Sequence, residues 1–251
     1  MFILLGLFVG SFLNVCIDRL PAGQSIIRPP SHCSACNHKL NALDLIPIFS
    51  YIWLKGRCRY CQAHIPLRLP LVEATTALLF ALFYWNYGLS IGLAVLIIYT
   101  SMLIAIFVID LEHLLVLNKI VYPGMVLALV FSFFWPGVRT FSIFWPGIGI
   151  ESALLGGIVG LAIQAVPYFI YRQGMGMGDV KLGALVGLMT GFPFVLIAIL
   201  LSWIIGGVVA GILLALKIKG RKDPIPAAIF LTVTALVTLI WGQAIWKWYL
   251  F

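Results

Sequence analysis

The chain has 251 residues, of which 63% are hydrophobic and only 10% charged, with a mean hydropathy of +1.11. A soluble domain carries about a quarter charged residues, so this composition excludes an ordinary soluble globule and points to a polytopic membrane protein. The formal charge of +8 is not laid out as a basic stripe with interleaved aromatics, which argues against a nucleic-acid partner.

The first apolar run, residues 2–17, lacks a basic leading segment and a small-residue cleavage site. It reads as a retained span rather than a cleaved signal peptide, with Cys16 as a small apolar filler. Residues 18–69 form a polar, proline-containing loop that holds four of the five cysteines and three of the four histidines. Further apolar runs follow at 70–87, 91–110, 120–135, 151–171, 180–192, 195–216 and 227–248. Most reach the roughly 20 residues a helix needs to cross a bilayer. The run at 180–192 is short, which suits a tilted helix or one packed inside the bundle. The expected fold is all-α: a membrane helical bundle of about eight spans with a small loop domain. It divides into a first span (1–17), a loop module (18–69) and a membrane domain (70–251).

Basic residues orient the bundle. The loops 18–69, 111–119, 172–181 and 217–226 hold fourteen Lys and Arg, whereas the opposite side holds only Arg139 and Lys247. Lys and Arg gather in cytoplasmic loops, so the first set is expected to be cytoplasmic. The same bias accounts for the net charge without an anionic partner.

The long loop reads CSAC at 33–36 and CRYC at 58–61. Two such pairs, Cys33 with Cys36 and Cys58 with Cys61, offer the four thiolates of a tetrahedral structural zinc site. A loop of about 50 residues buries little core, so a metal would supply its folding energy. Disulfides are disfavoured on the cytoplasmic side; redox-active pairs or unligated thiols are the alternatives. His32, His38 and His64 lie beside the cysteines, as substitute ligands or as solvated side chains.

Eight acidic residues remain to be weighed, and loops, interfaces or helix ends explain five of them. Asp110 ends the run SMLIAIFVID, and Asp179 opens the run after GMGMG. In the expected topology both lie at the cytoplasmic membrane edge, and acids within membrane segments are costly enough to be functional candidates. Two aspartates sharing a site hold one proton between them. The ionised member then activates water while the protonated member polarises a peptide carbonyl. Gly174, Gly176 and Gly178 would let the backbone leave helical geometry and approach an extended substrate. The third acid, Glu73, is either part of a second site or paired with Arg68 or lysines at the interface. Arg172 and Lys181 flank the break and either tune the pair or follow the insertion bias.

GMGMGD at 174–179 resembles the GxGD signature of intramembrane-type aspartic proteases. With GSFLNVCIDRLP (10–21), the two CxxC pairs, LKGRCRYC (54–61), PLRLPLVEATTALLF (66–80) and VIDLEHLLVLNKIVYP (108–123), the chain resembles type IV prepilin peptidases, which also serve type II secretion and competence pseudopilins. The resemblance implies catalytic aspartates at Asp110 and Asp179. It implies cleavage of a short basic prepilin leader, typically after glycine, at the cytoplasmic face of the bacterial inner membrane. It also implies, for many members, methylation of the new N-terminal amine with S-adenosylmethionine. The cysteine loop and the adjoining LVE, hence Glu73, are associated with that second activity, and Gly174, Gly176, Gly178 and Lys181 are candidates for substrate binding.

Two stretches depart from the family pattern. Where L-P-D is usual, eight residues after the first aspartate, this chain reads VLN and ends on Asn118. An aromatic, proline-rich insert, FFWPGVRTFSIFWPG, occupies 133–147, with Trp135 and Trp145 as interface anchors. The competing readings are a peptidase without methylation, a polytopic transporter with broken helices, and a zinc-bearing scaffold without catalysis.

Overall fold

The computed structural model describes residues 1–134, 149–170, 176–218, 220 and 226–250. Among them there are only helices, turns and two isolated bridges. Eight apolar helices coincide with the eight expected runs: α1 (Phe2–Arg19), α3 (Arg68–Tyr87), α4 (Ile91–His113), α5 (Asn118–Phe134), α6 (Ile150–Ile170), α7 (Met177–Thr190), α8 (Phe194–Ala215) and α9 (Ala227–Leu250). The loop module adds one short helix, α2 (Phe49–Trp53), after a 3-10 turn at Ala42–Leu45. Six helices (α1, α3, α4, α6, α8 and α9) are long and apolar enough to cross a membrane, and α5 is a shorter apolar helix. The aromatic insert at 133–147, with Trp135 and Trp145, lies almost wholly outside the described residues, as does Gly174.

Two compact units are present, Met1–Ala105 and Ile106–Phe251. In the first, α1 and α3 pack closely because small residues allow it. A Cβ on Gly6 would lie 2.5 Å from the Ala77 Cα, and one on Gly10 would lie 2.7 Å from the Glu73 Cα. One turn further on, Asn14 donates to the Leu69 carbonyl at 3.0 Å. The four-residue steps in opposite directions describe an antiparallel pair in the small-xxx-small manner of membrane helices.

The second unit is organised around α7. Val180 and every residue from Leu182 to Thr190 are buried, and α5, α6, α8 and α9 all pack on this helix. A helix apolar on all sides belongs inside a bundle, so the short run at 180–192 is short because it is enclosed. Its closest neighbour is α6. A Cβ on Gly187 would sit 2.0 Å from the Gly156 carbonyl oxygen, and one on Gly160 would sit 2.2 Å from that of Gly183. These facing glycines bring the two backbones together and fix the height at which α7 begins.

Candidate functional site

Asp110 lies in the last turn of α4, where the helix ends and Leu114 takes φ 54. Its carboxylate is almost fully buried. The backbone amides of Ile229 and Ala228, in the first turn of α9, donate to it. First-turn amides have no partner within their own helix, so they are available to hold this side chain. Its Oδ2 is nevertheless buried without a hydrogen-bond partner. A buried carboxylate oxygen left open is costly in a resting protein, and it is where a second proton-bearing group or a substrate atom would fit.

Asp179 lies in the first turn of α7, half-buried, with the Gly176 amide bonded to its carboxylate. The charged neighbour whose field reaches it is Asp110. The two aspartates singled out in the sequence, 69 positions apart, thus belong to one unit, and the charge of one acts on the other. Asp110 is anchored by α9, and Asp179 is carried at the tip of the enclosed helix.

The glycines before Asp179 have different surroundings. Gly178 lies within the helix, and a Cβ there would come 2.7 Å from the Val116 Cβ. It therefore permits close contact with the segment that links α4 to α5. Gly176 caps the helix with extended backbone, φ −78 and ψ 150, and is exposed. The Lys181 Nζ donates to Asn118 Oδ1 at 3.0 Å in an exposed hydrogen bond and lies 5.3 Å from the ring centre of Tyr122. The position that departs from the family pattern, Asn118, is therefore in contact with the aspartate-bearing helix.

Glu73 is in the other unit, buried against α1. Its Oε2 accepts the Ile48 amide at 2.8 Å, and the Ser11 hydroxyl also bonds to it. Arg68 pairs with Asp18 at 2.5 Å. One turn away, the Oδ1 of Asn14 is buried with no partner. Ser11, Asn14 and Glu73 form a polar cluster on the α1–α3 seam.

The four loop cysteines converge. Their sulfurs all lie within 4.8 Å of one another, with 3.8 Å between Cys33 and Cys61, a set that could hold a metal ion. The two pairs are built alike. Cys33 N–H donates to the His38 carbonyl and Cys58 N–H to that of Ala63, while Asn37 and Gln62 donate back to the Cys33 and Cys58 carbonyls. Asn37 and Gln62 both take left-handed backbone, φ 56 and 57. The amides of Cys36 and then Ala35 bond to the Cys33 sulfur and pull its thiol down to about 6. His38 lies against Tyr60 with ring centres 3.7 Å apart and planes tilted by 34°, and His32 Nδ1 meets the Pro30 carbonyl. Among the described residues the converging donor set is cysteine alone.

The sequence reading missed the α9 amides, Val116, Ser11 and Asn14. The glycine spacings GLFVG (6–10) and GALVG (183–187) were visible signals of the close helix pairs. Nothing in the run around 226–229 announced that its amides would meet Asp110.

Comparison with known proteins adds a family. Residues 97–211 match the model of the type IV leader peptidase family, and residues 4–87 match that of the bacterial peptidase A24 N-terminal domain. A prepilin leader peptidase/N-methyltransferase of Stutzerimonas stutzeri is 33% identical over 277 residues, covering 99% of this chain and 92% of its own length. Proteins with the same description from Pseudomonas aeruginosa and Bacillus subtilis are 32% and 29% identical, with 92% and 95% of their lengths covered. No solved structure matches.

Proposed function

Because the chain belongs to the type IV leader peptidase family, we propose that it cleaves the leader of type IV prepilins or related pseudopilins and then methylates the new N-terminus. The observation that supports the reading is that the two aspartates of the matched segment lie in one unit, Asp110 buried and Asp179 half-buried, with the charge of Asp110 acting on Asp179. Like charges at short range favour one shared proton. The ionised carboxylate takes a proton from water as it attacks the scissile carbonyl, and the protonated one donates to the developing oxyanion. Collapse of the tetrahedral intermediate breaks the C–N bond, with the proton passing to the leaving amine. The pair acts as a unit, so the two roles are not divided between named residues.

The proposed working position is the cytoplasmic face of the bacterial inner membrane, supported by the fourteen-to-two partition of basic residues. Gly174, Gly176 and Gly178 are the proposed docking edge for an extended leader. Of these, Gly176 is exposed and extended at the tip of α7, whereas Gly178 has the additional task of admitting Val116. Lys181, two residues after Asp179, ties this end of α7 to Asn118.

Zinc is the metal proposed for the cysteine cluster. A Zn–S bond of about 2.3 Å in a tetrahedron sets sulfurs about 3.8 Å apart, which agrees with the 3.8 Å from Cys33 to Cys61 and the 4.8 Å limit on the whole set. The amide bonds to Cys33 favour the thiolate that such a metal requires. Its role would be structural, since four cysteines fill the coordination shell.

For the second activity, the Ser11–Asn14–Glu73 cluster is the proposed methyl-donor site. A buried carboxylate and the unpartnered Asn14 oxygen suit the cationic groups of S-adenosylmethionine, which supplies the methyl group. The chain's residues would bind and orient the donor, and the new amine is the nucleophile. Co-expression with a prepilin tests both activities: mature pilin by gel shift, then mass spectrometry for the added methyl group. Correctly cleaved but unmethylated pilin in the presence of S-adenosylmethionine would reduce the function to the peptidase alone. No observation favours a transporter.

A further inference from the structure

Helix α2 carries three large apolar side chains on one face. Phe49, Ile52 and Trp53, at the i, i+3, i+4 spacing that shares a helix face, are 68, 68 and 76% exposed. Its half-buried Tyr51 faces the following turn. Tyr51 lies against Gly56, where a Cβ would come within 2.8 Å of the tyrosine hydroxyl, and Tyr51's carbonyl accepts the Gly56 amide. That contact seats α2 on the turn leading to Cys58. At the start of α2, Ile48 takes φ 59, a conformation β-branched residues avoid, and its amide is bonded to Glu73.

The bond to Glu73 sets a depth. Glu73 is the sixth residue of α3, which begins at Arg68, and five steps of helix advance about 7.5 Å. The start of α2 is therefore level with the second turn of a membrane-spanning helix. Interfacial helices bury their apolar face about 5–10 Å into the headgroup–acyl boundary, and tryptophan favours that boundary. Lys55 and Arg57, both exposed, follow directly, and cations beside an apolar face suit anionic headgroups.

We propose that the Phe49–Ile52–Trp53 face is a lipid anchor. It lies in the headgroup–acyl boundary of an anionic leaflet and holds the four-cysteine module against the membrane at the level of Glu73. The occupant is lipid rather than a protein partner because the Ile48–Glu73 bond sets the start of α2 level with the second turn of a membrane-capable helix and the flanking Lys55 and Arg57 are basic.

The test uses the full chain in nanodiscs of phosphatidylcholine and phosphatidylglycerol, with lipids brominated either high on the acyl chain or near its end. The chain has eight tryptophans, so the emission of Trp53 is taken as the difference between the wild type and Trp53→Phe. Metal content and leader cleavage by Trp53→Phe confirm that it has folded. The difference emission should lose most of its intensity with bromine high on the chain, less with bromine near the end, and little with aqueous iodide. Quenching by iodide with no response to bromine would overturn the anchor. A signal insensitive to both quenchers but dependent on copies per disc would also overturn it, since a second copy would then cover the face.

Discussion

The Lys181 ammonium is bonded to the side-chain oxygen of Asn118 at 3.0 Å, which ties the start of α7 to the start of α5. Asp179 is two residues before the lysine, and the segment from Asp110 to Asn118 leads into the other end of the bond. Asn118→Ala removes the acceptor and should cost about 1 kcal/mol of positioning, a loss of several-fold in leader cleavage. Asn118→Asp keeps an acceptor and should remain close to wild type. Initial rates on a purified prepilin compare the two; equal loss in both variants would show that the bond is not what matters.

The dyad makes the largest prediction. Asp110→Asn and Asp179→Asn should each reduce cleavage by on the order of a thousandfold or more, because either change removes one half of a proton-sharing pair. Helix content by circular dichroism and bound metal should be unchanged, as neither residue is in the cysteine module. Wild-type processing by either variant would end the proposal.

Gly178→Ala places a methyl group 2.7 Å from the Val116 Cβ, so the tip of α7 must shift. A shift of this kind near reacting groups should lower cleavage by about ten- to a hundredfold. Val116→Gly in the same chain removes the obstacle and should restore part of the rate, a coupling that a double-mutant cycle measures. If Gly178 served only to bind substrate, no such rescue would occur.

Cys58→Ser removes one of four converging sulfurs, and that sulfur belongs to a buried residue. Purified wild type should carry about one zinc per chain, and the variant should lose most of it. Elemental analysis decides the point. Native, metal-free wild-type protein would remove the zinc assignment.

Glu73→Gln should leave leader cleavage intact and abolish methylation. The amide can still accept from Ile48, so the seam of α1 and α3 is preserved while the negative charge is lost. Mass spectrometry of the processed pilin reads the result. Normal methylation by this variant would exclude the carboxylate from the methyl-donor site.

Much of this protein is determined locally. Long apolar runs can satisfy their backbone groups in a bilayer only as helices, so the eight helices follow from composition and spacing. The two CxxC pairs announce their convergence because metal-binding knuckles are short, local structures repeated in sequence. Asp110 and Asp179 stand out because a carboxylate at the edge of an apolar run is rare and costly.

Other features depend on groups that only packing brings together. The Asp110 carboxylate meets the amides of Ala228 and Ile229, backbone groups whose role no side-chain pattern can signal. Glu73 accepts a hydrogen bond from the Ile48 amide, a partner brought to it by the seating of α2. Gly178 and Gly187 read alike as small residues, yet one admits Val116 and the other the backbone of Gly156. Residue type and period are properties of the chain, whereas depth, partner and shared charge are properties of the packed bundle. The sequence therefore settles which residues are costly enough to matter, and the tertiary structure alone decides which of them meet.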